Sequence, residues 1–499
     1  MNKPLRRVGL AMMLMVVLLL ANDMYVQVVQ ASSLSTNTSN SRRLLNEYST
    51  QRGLILSSDM QTLVTSTPTN DTYKFLRQYA NGPAYADVTG YYSLAYGAGG
   101  MEDAMNGVLN GTDDRLFVRR LSDLITGRNP QGGDVQLTIN PKIQLAGYNT
   151  LVQNGFTGAA VAIQPSTGQI LGMVSTPSYD PNGLAAHDNA TQTNTWKAAT
   201  TGAPAGLMDQ PIAAAYQPGS TFKLVVASAA LSNNTDDENT PNLPSSGTIP
   251  LPQTSTTLSN YNNETCPDGV NGQVSMKTAI AYSCNTAFAT LAGKVGESAL
   301  AAQAAKFGFG QNLSIPLGVA TSCVGPAAGG NCLNIPNGTP GLYQSGIGQL
   351  DVQETPLQNA LIAATIANGG TEMYPQLVKG ILGSDLSTVQ GFTPQVMNSN
   401  VISSQTAATI TDMMLDAETH SGTANKNPAI QIAAKTGTAE HGPDPKHVQP
   451  YGWYVAFAPN NDIAVAVVVT SGGSYDLATV GAKVAGPVGR AMINASVGG

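Results

Sequence analysis

Tyr216-Gln217-Pro218-Gly219-Ser220-Thr221-Phe222-Lys223, followed by the apolar run Leu224-Val225-Val226-Ala227, is the stretch around which the chain is organised. Pro-Gly breaks what precedes it, and the residues after it have the composition of a buried helix. On a helix, Ser220 and Lys223 are i and i+3, so hydroxyl and amine share one face. A serine hydroxyl is a poor nucleophile until a base takes its proton. A lysine in an apolar pocket can have its pKa lowered enough to do so. The helix start also brings unpaired backbone N–H groups to a place where an oxyanion could form. Alone, S-x-x-K is a common spelling, and a surface serine beside a solvated lysine carries it equally well.

Two further stretches change that. Ser283-Cys284-Asn285 lies between Thr278-Ala279-Ile280-Ala281-Tyr282 and Thr286-Ala287-Phe288-Ala289, and Lys435-Thr436-Gly437-Thr438 follows the apolar Ile430-Gln431-Ile432-Ala433-Ala434. S-x-x-K, then S-x-N, then K-T-G, in that order, is the signature of penicillin-binding proteins and serine β-lactamases. The chain resembles the penicillin-binding proteins from roughly Asp134 to its end. Gly158 to Val174 is similar to the hairpin that opens a transpeptidase domain, and Ser175 to Asn182 to the segment after it. Gly346-Ile347-Gly348-Gln349, Thr355-Pro356-Leu357-Gln358 and Ile366-Ala367-Asn368-Gly369-Gly370 resemble the stretch between the second and third motifs. Trp453 to Pro459 resembles the strand after K-T-G.

The resemblance implies a mixed α/β fold: a transpeptidase domain with an antiparallel sheet flanked by helices, a smaller N-terminal α+β pedestal and a membrane anchor. The expected division is 1–31 cytoplasmic tip and anchor, 32–141 pedestal, 142–499 transpeptidase domain. β-branched runs at Gly158 to Val174, Ile430 to Thr438, Tyr454 to Phe457 and Ile463 to Thr470 read as strands. The last is apolar throughout and is expected to be central and covered on both faces. Leu224 to Leu231, Lys277 to Val295, Leu357 to Ile366, Ala407 to Leu415 and Ala482 to Ile493 read as helices. Asn233 to Pro267, acidic and rich in Ser, Thr and Pro, reads as a long irregular insertion, either a substrate-facing loop or a disordered excursion.

The resemblance also assigns roles. Ser220 attacks the carbonyl between two D-alanines and becomes acylated. Lys223 is the base it offers for acylation, in enzymes where that base is disputed. Ser283 relays a proton to the leaving amine, and Asn285 holds Lys223 and a substrate amide. Lys435 supplies positive charge, and the hydroxyls of Thr436 and Thr438 suit the substrate's terminal carboxylate. The backbone N–H groups of Ser220 and Thr438 are the expected oxyanion hole. Gly437, lacking a side chain, is expected to let substrate lie along its strand as an added strand. Cys284 stands where the motif often has Asp.

Lys3, Arg6 and Arg7 precede the apolar run Val8 to Ala21, which continues less cleanly to Val29. That pattern sets the N-terminus inside and the rest outside. Asn22-Asp23 interrupt the run, and Val29-Gln30-Ala31 could serve as a cleavage site, so a signal peptide rivals the retained anchor. Either way the catalytic part is expected outside the cytoplasm. Four cysteines, an even number in an exported chain, favour disulfides over buried free thiols. Cys323 and Cys332 bracket a Gly/Pro/Ala loop and are the easiest pair to close, which leaves Cys266 with Cys284. The histidines (His187, His420, His441, His447) show no zinc-like spacing with the cysteines, so neither metal nor cofactor is expected. A net charge of −7 gives no footprint for nucleic acid. Only 11% of residues are charged, which suits an exported surface rich in hydrogen-bonding side chains.

Gln51 to Leu56 reads as a strand entered through Gly53 and resembles the R-G-x-I motif that opens the non-catalytic domain of class B members. Tyr79 to Tyr92, Gly99 to Glu102 and Val135 to Asn140 resemble later motifs of that domain. Arg52 and Glu102 are expected to hold domains together rather than touch substrate. The stretch before the transpeptidase domain is too short for a glycosyltransferase, which favours a monofunctional enzyme. After K-T-G there is room to finish the sheet and add one helix.

Three functions compete: a transpeptidase joining peptidoglycan stem peptides (D-Ala-D-Ala donor, amine acceptor), a carboxypeptidase or β-lactamase using water, and a β-lactam-binding sensor or scaffold. No E-x-x-L-N stretch for a deacylating Glu lies between the second and third motifs. Pedestal and anchor favour the synthetic enzyme, and little chain precedes the apolar run for a cytoplasmic signalling part. Inhibition by β-lactams, a membrane partner and cell-wall synthesis or division proteins follow from the resemblance. It is greatest to the actinobacterial penicillin-binding protein A group, associated with division and cell shape.

Overall fold

In the computed structural model of the protein, which describes residues 2–30, 47–127, 131–326, 331–335, 338–442, 444 and 447–498, the valine-rich strand Ile463–Ser471 lies at the centre of a five-stranded antiparallel sheet. The order is Ala433–Ala439, Tyr451–Ala458, Ile463–Ser471, Thr157–Ile163, Ile170–Thr176. Alternate residues of these strands serve two cores. Ala160, Ala162, Tyr454, Val465 and Val467 pack on Ile143, Leu151, Val488 and Met492, from helices Pro141–Gln153 and Gly481–Val497. Val161, Ile163, Val455, Ala464 and Ala466 face the other way, into the core built around Phe222, Leu224 and Leu361. Each large apolar side chain so buried contributes about 1.5–3 kcal/mol. A strand with both faces covered has no polar side to show. This is why Ile463 to Thr470 is apolar without alternation.

The Lys277 to Val295 helix is in fact two, Met276–Ala281 and Asn285–Val295. Ser283 sits in the break at φ +59°, a left-handed conformation unusual for serine, which ends one helix and starts the next. The insertion at 233–267 is neither disordered nor irregular throughout. Thr248–Pro250 and Thr257–Ser259 form a hairpin, Leu243–Pro244 pairs with Gln273–Val274, and a disulfide joins Cys266 to Cys284. Cys323 is likewise bonded to Cys332. Positions 327–330 of the loop they bracket lie outside the described residues.

The pedestal is not closed by its own sequence. Its six-stranded sheet runs Thr388–Gly391, Val378–Leu382, Asp134–Leu137, Ile55–Leu56, Thr62–Pro68, Phe75–Tyr79. Two of these strands come from far beyond residue 141, and one core continues from Ile55 and Val135 into Phe222. A boundary drawn at 141 therefore divides the sequence but not the sheets. Of Gln51 to Leu56 only Ile55–Leu56 is a strand, with an isolated bridge from Gln51 to Gln131.

Arg52 and Glu102 hold the pedestal itself together, not the two domains. Glu102 accepts from Arg52 Nε at 2.6 Å and from Arg77 Nε at 2.6 Å, and all three are buried. Burial alone would raise the Glu102 pKa; the two guanidiniums outweigh it and hold the carboxyl below its ordinary value. Contacts across residue 141 mix charged and uncharged groups: Arg119 pairs with Asp385, His187 Nδ1 bonds Asp71, and Asp87 Oδ1 accepts from Ser175 Oγ at 3.0 Å. The Asn182 side chain bonds both backbone groups of Tyr79, and Gln192 Oε1 accepts from Ser93 Oγ at 2.6 Å.

At the N-terminus, Asn2–Met24 is helical and continues through Tyr25–Val29, so Asn22 and Asp23 do not break it. Lys3 to Val29 is long and apolar enough to cross a membrane. Ala31 and the following pedestal residues up to 46 lie outside the described residues.

Candidate active site

Ser220 stands on a short 3-10 turn, Gly219–Phe222, that runs into the buried helix Lys223–Ser232. The expected α-helical start is thus a tighter turn, in which i and i+3 eclipse and Ser220 and Lys223 share a face more directly. Backbone contacts hold the turn from two sides. Tyr216 exchanges hydrogen bonds of 2.9 Å with Glu354, and Gly219 N–H donates to Gly348 O at 2.9 Å. Trp453 Nε1 donates to Gln217 O at 2.8 Å. Thr221 Oγ1 donates to Pro218 O at 3.0 Å and accepts from Asn359 Nδ2 at 3.0 Å.

Lys223 Nζ is buried and donates to Ser283 O at 2.8 Å and Asn285 Oδ1 at 2.8 Å, with Ser283 Oγ at 3.5 Å. Among the described residues none of its hydrogen bonds goes to Ser220. Burial, and then the charge of Lys435, push its pKa well below that of an ordinary lysine. A neutral amine has two N–H donors and a lone pair. The carbonyl of Ser283 and the amide oxygen of Asn285 use the donors, leaving the lone pair for a proton from Ser220.

The break between the two helices positions the second motif. Asn285 opens its helix and turns its Nδ2 to Ser259 O at 3.1 Å, and Thr286 N–H donates to Asn260 Oδ1 at 2.9 Å. The hairpin at 248–259 therefore braces Asn285 from behind. Cys284 turns away into its disulfide and is buried.

The third motif lies on Ala433–Ala439, an edge strand of the five-stranded sheet. Lys435 Nζ donates to Ser283 Oγ at 2.8 Å and to Thr436 O at 2.9 Å. Burial lowers its pKa to about 7. Thr436 and Thr438 are two residues apart on a strand, so their side chains share a face, and both are half-buried. Gly437 also has a use within the fold. A Cβ there would lie 2.7 Å from Pro218 O and 3.1 Å from Thr221 Cγ2, so its bare Cα admits the Ser220 turn against the strand. A Cβ on Gly219 (φ +55°) would lie 2.6 Å from Thr438 O. The turn and the K-T-G strand touch backbone to backbone, which brings the amides of Ser220 and Thr438 into one neighbourhood.

The structure thus brings Lys223, Ser283, Asn285 and Lys435 into one hydrogen-bonded chain beside Ser220, with Thr436, Gly437 and Thr438 along its edge. The sequence reading gave no role to Gly348, Glu354, Asn359 or Trp453, which hold the turn. Gly348 and Trp453 fall within quoted stretches, but nothing in their local spelling signals contact with Gly219 or Gln217. Among the described residues no group of His, Cys, Asp and Glu could hold a metal.

The family profile "Penicillin binding protein transpeptidase domain" matches residues 158–494, and "Penicillin binding protein A dimerisation domain" matches 52–135. Peptidoglycan D,D-transpeptidase PbpA of Mycolicibacterium smegmatis is 45% identical over 100% of this chain and 99% of its own length. Its Mycobacterium tuberculosis namesake is 44% identical over 100% of both. The ceftriaxone acyl-enzyme of M. tuberculosis penicillin-binding protein A superposes with a TM-score of 0.86 at 43% identity, covering 91% of this chain and 100% of the other. The penicillin G acyl-enzyme gives 0.83 at 43% identity over 90% and 100%. Three motifs on one hydrogen-bonded site and a profile spanning most of the chain lead to one conclusion: the chain belongs to the penicillin-binding protein transpeptidases.

Proposed function

We propose that the protein is a serine D,D-transpeptidase that cross-links peptidoglycan stem peptides through an acyl-enzyme on Ser220 and is acylated there by β-lactams. The observation that carries the reading is the hydrogen-bonded chain Asn285–Lys223–Ser283–Lys435 beside the Ser220 turn. Neutral Lys223 takes the hydroxyl proton as Ser220 Oγ bonds to the carbonyl carbon of the penultimate D-alanine. The oxyanion forms between the N–H groups of Ser220 and Thr438, where fixed donors stabilise charge that develops only in the transition state. Ser283 Oγ passes a proton to the departing D-alanine nitrogen and takes the one held by Lys223, which returns to neutral as the C–N bond breaks. An amine of a second stem then loses a proton to Lys223 and displaces Ser220 Oγ, which takes that proton back and restores the free enzyme. Thr436 and Thr438 bind the donor's terminal carboxylate, with Lys435 supplying charge. Lys3, Arg6 and Arg7 before the apolar helix support a single membrane pass with the catalytic domain outside the cytoplasm. Work in division or shape maintenance, with cell-wall synthesis proteins as partners, is part of this proposal and is supported by the resemblance of the motifs to the penicillin-binding protein A group.

Intact-protein mass spectrometry with penicillin G tests this. The wild type is expected to gain one penicillin that persists for hours, and Ser220→Ala none. An adduct that clears within seconds would make the protein a hydrolase, and an adduct on Ser220→Ala would remove Ser220 from the mechanism.

A further inference from the structure

We propose that the helix Phe117–Thr126 lies on the membrane surface and docks the pedestal there, beyond the hold of the anchor itself. On a helix of 3.6 residues per turn, Phe117, Leu121, Ile125 and Val118 fall within an arc of about 100°. Such a stripe ordinarily faces a core. Here it faces outward: Phe117 is 57% exposed, Val118 79%, Leu121 45% and Ile125 76%. Outside the anchor, no other helix among the described residues exposes as many large apolar side chains.

The opposite face explains the orientation. Arg119 Nη1 donates to Asp385 Oδ1 at 2.6 Å and to Ser387 Oγ at 3.3 Å, and Arg120 Nη1 donates to Thr112 O at 2.8 Å. Just before the helix, Arg115 donates to Gln390 Oε1 at 2.8 Å. The polar side is thus fastened to the hairpin Val378–Leu382 and Thr388–Gly391, which leaves the apolar side to solvent.

What covers it follows from where the chain leaves the membrane. Five residues after Thr126, Gln131 bridges to Gln51 and donates from Nε2 to its Oε1 at 3.1 Å. Gln51 lies just past the sixteen residues, 31–46, that join the anchor helix to the pedestal. A chain of that length spans at most about 55 Å, which caps how far the end of the helix can stand from the bilayer. A second copy fits less well. The four exposed apolar side chains described on this ten-residue helix fall short of the 20–30 residues a side that a stable protein pair uses. Amphipathic helices with this division of faces settle in the interfacial layer of a bilayer. Arg115, Arg119 and Arg120 are each paired with an aspartate, so apolar insertion rather than attraction to anionic lipid holds the helix.

The inference rests on the anchor reading above. The full chain is reconstituted in nanodiscs carrying nitroxide lipids, with an environment-sensitive fluorophore on Val118→Cys, Ile125→Cys, Thr126→Cys or Val152→Cys. The first two labels are expected to be blue-shifted and quenched several-fold more than the last two, equally in zwitterionic and anionic discs. Protein held in discs with all four labels in water would overturn the docking and leave the anchor standing. Protein that elutes without discs would refute the anchor and the docking with it. Shielding that appears only in discs holding two copies, without nitroxide quenching, would make the face a contact between chains and overturn the proposal.

Discussion

Gly348 belongs to none of the three motifs, yet replacing it with alanine is expected to disable the nucleophile. At φ +70° a Cβ on Gly348 would lie 2.1 Å from Gly219 O and 2.8 Å from Gly219 N. That is about 1.3 Å short of ordinary contact, and the obstructing atoms are backbone, which cannot rotate aside. Gly348→Ala therefore carries two costs: about 1–2 kcal/mol for alanine in a left-handed conformation, and about 1–3 kcal/mol for overpacking. The second is relieved only by moving the turn that carries Ser220. A displacement near 1 Å at reacting atoms lowers rates about 100-fold. Gly369→Ala separates the two costs, because Gly369 has φ +63° but nothing within 4 Å of its virtual Cβ. The assay is the second-order rate of acylation by a fluorescent penicillin, read beside the denaturant midpoint of each variant. Gly348→Ala should acylate about 100-fold slower. Gly369→Ala should lose only about 1–2 kcal/mol of stability and acylate as wild type. Acylation of Gly348→Ala within threefold of wild type, or an equal loss in both variants, would refute the reasoning.

Acylation by penicillin should fall as pH falls, because protonation removes the Lys223 lone pair. Since the charge of Lys435 is one cause of the low Lys223 pKa, Lys435→Met should move that acidic limb to higher pH in the residual rate. Removing the Cys266–Cys284 disulfide as a double serine variant should cost about 2–4 kcal/mol in denaturant unfolding, given a separation of 18 residues. It should also slow acylation, because the hairpin that braces Asn285 loses its fastening. Glu372 is buried, has no hydrogen-bond partner on either carboxylate oxygen among the described residues, and has its pKa raised by burial to about 8. The folded state keeps this proton while an unfolded chain releases it near pH 4.5. Its contribution to stability is therefore full below pH 4.5 and declines as pH rises towards 8. Glu372→Gln should gain about 3 kcal/mol at pH 7 and almost nothing at pH 4, measured by denaturant midpoints at both.

What was legible in the sequence was whatever repeats on a short period or sits in a fixed triplet. Ile463 to Thr470 betrayed its central place by having no polar face, and the three motifs named their own chemistry. Long-range closure was not legible. Val378–Leu382 pairs with Asp134–Leu137 across more than two hundred residues and carries Thr388–Gly391 as the sheet's edge, and no local pattern encodes such a partner. The roles of Arg52 and Glu102 were misjudged for the same reason, since Arg77, the third member of their buried cluster, has no spelling that ties it to them. The break at Ser283 was hidden by helix-forming neighbours. Propensity summed over Lys277 to Val295 favours one helix, and it is overridden where Cys266 and Asn260 hold the turn.

That break also accounts for the cysteine where aspartate is common. A continuous helix would put residues 283 and 285 about 200° apart around its axis, so both could not reach Lys223. With Ser283 left-handed and Asn285 first in a new helix, the carbonyl of one and the amide of the other converge on Nζ at 2.8 Å. The residue between them necessarily points elsewhere. At that position the chemistry makes no demand on the side chain, and the fold can use it structurally. Cys284 does so by joining the turn to the insertion whose Ser259 carbonyl accepts from Asn285. A substitution at residue 284 should therefore act on acylation through the position of Asn285, with Lys223 still buried, rather than through direct contact with substrate.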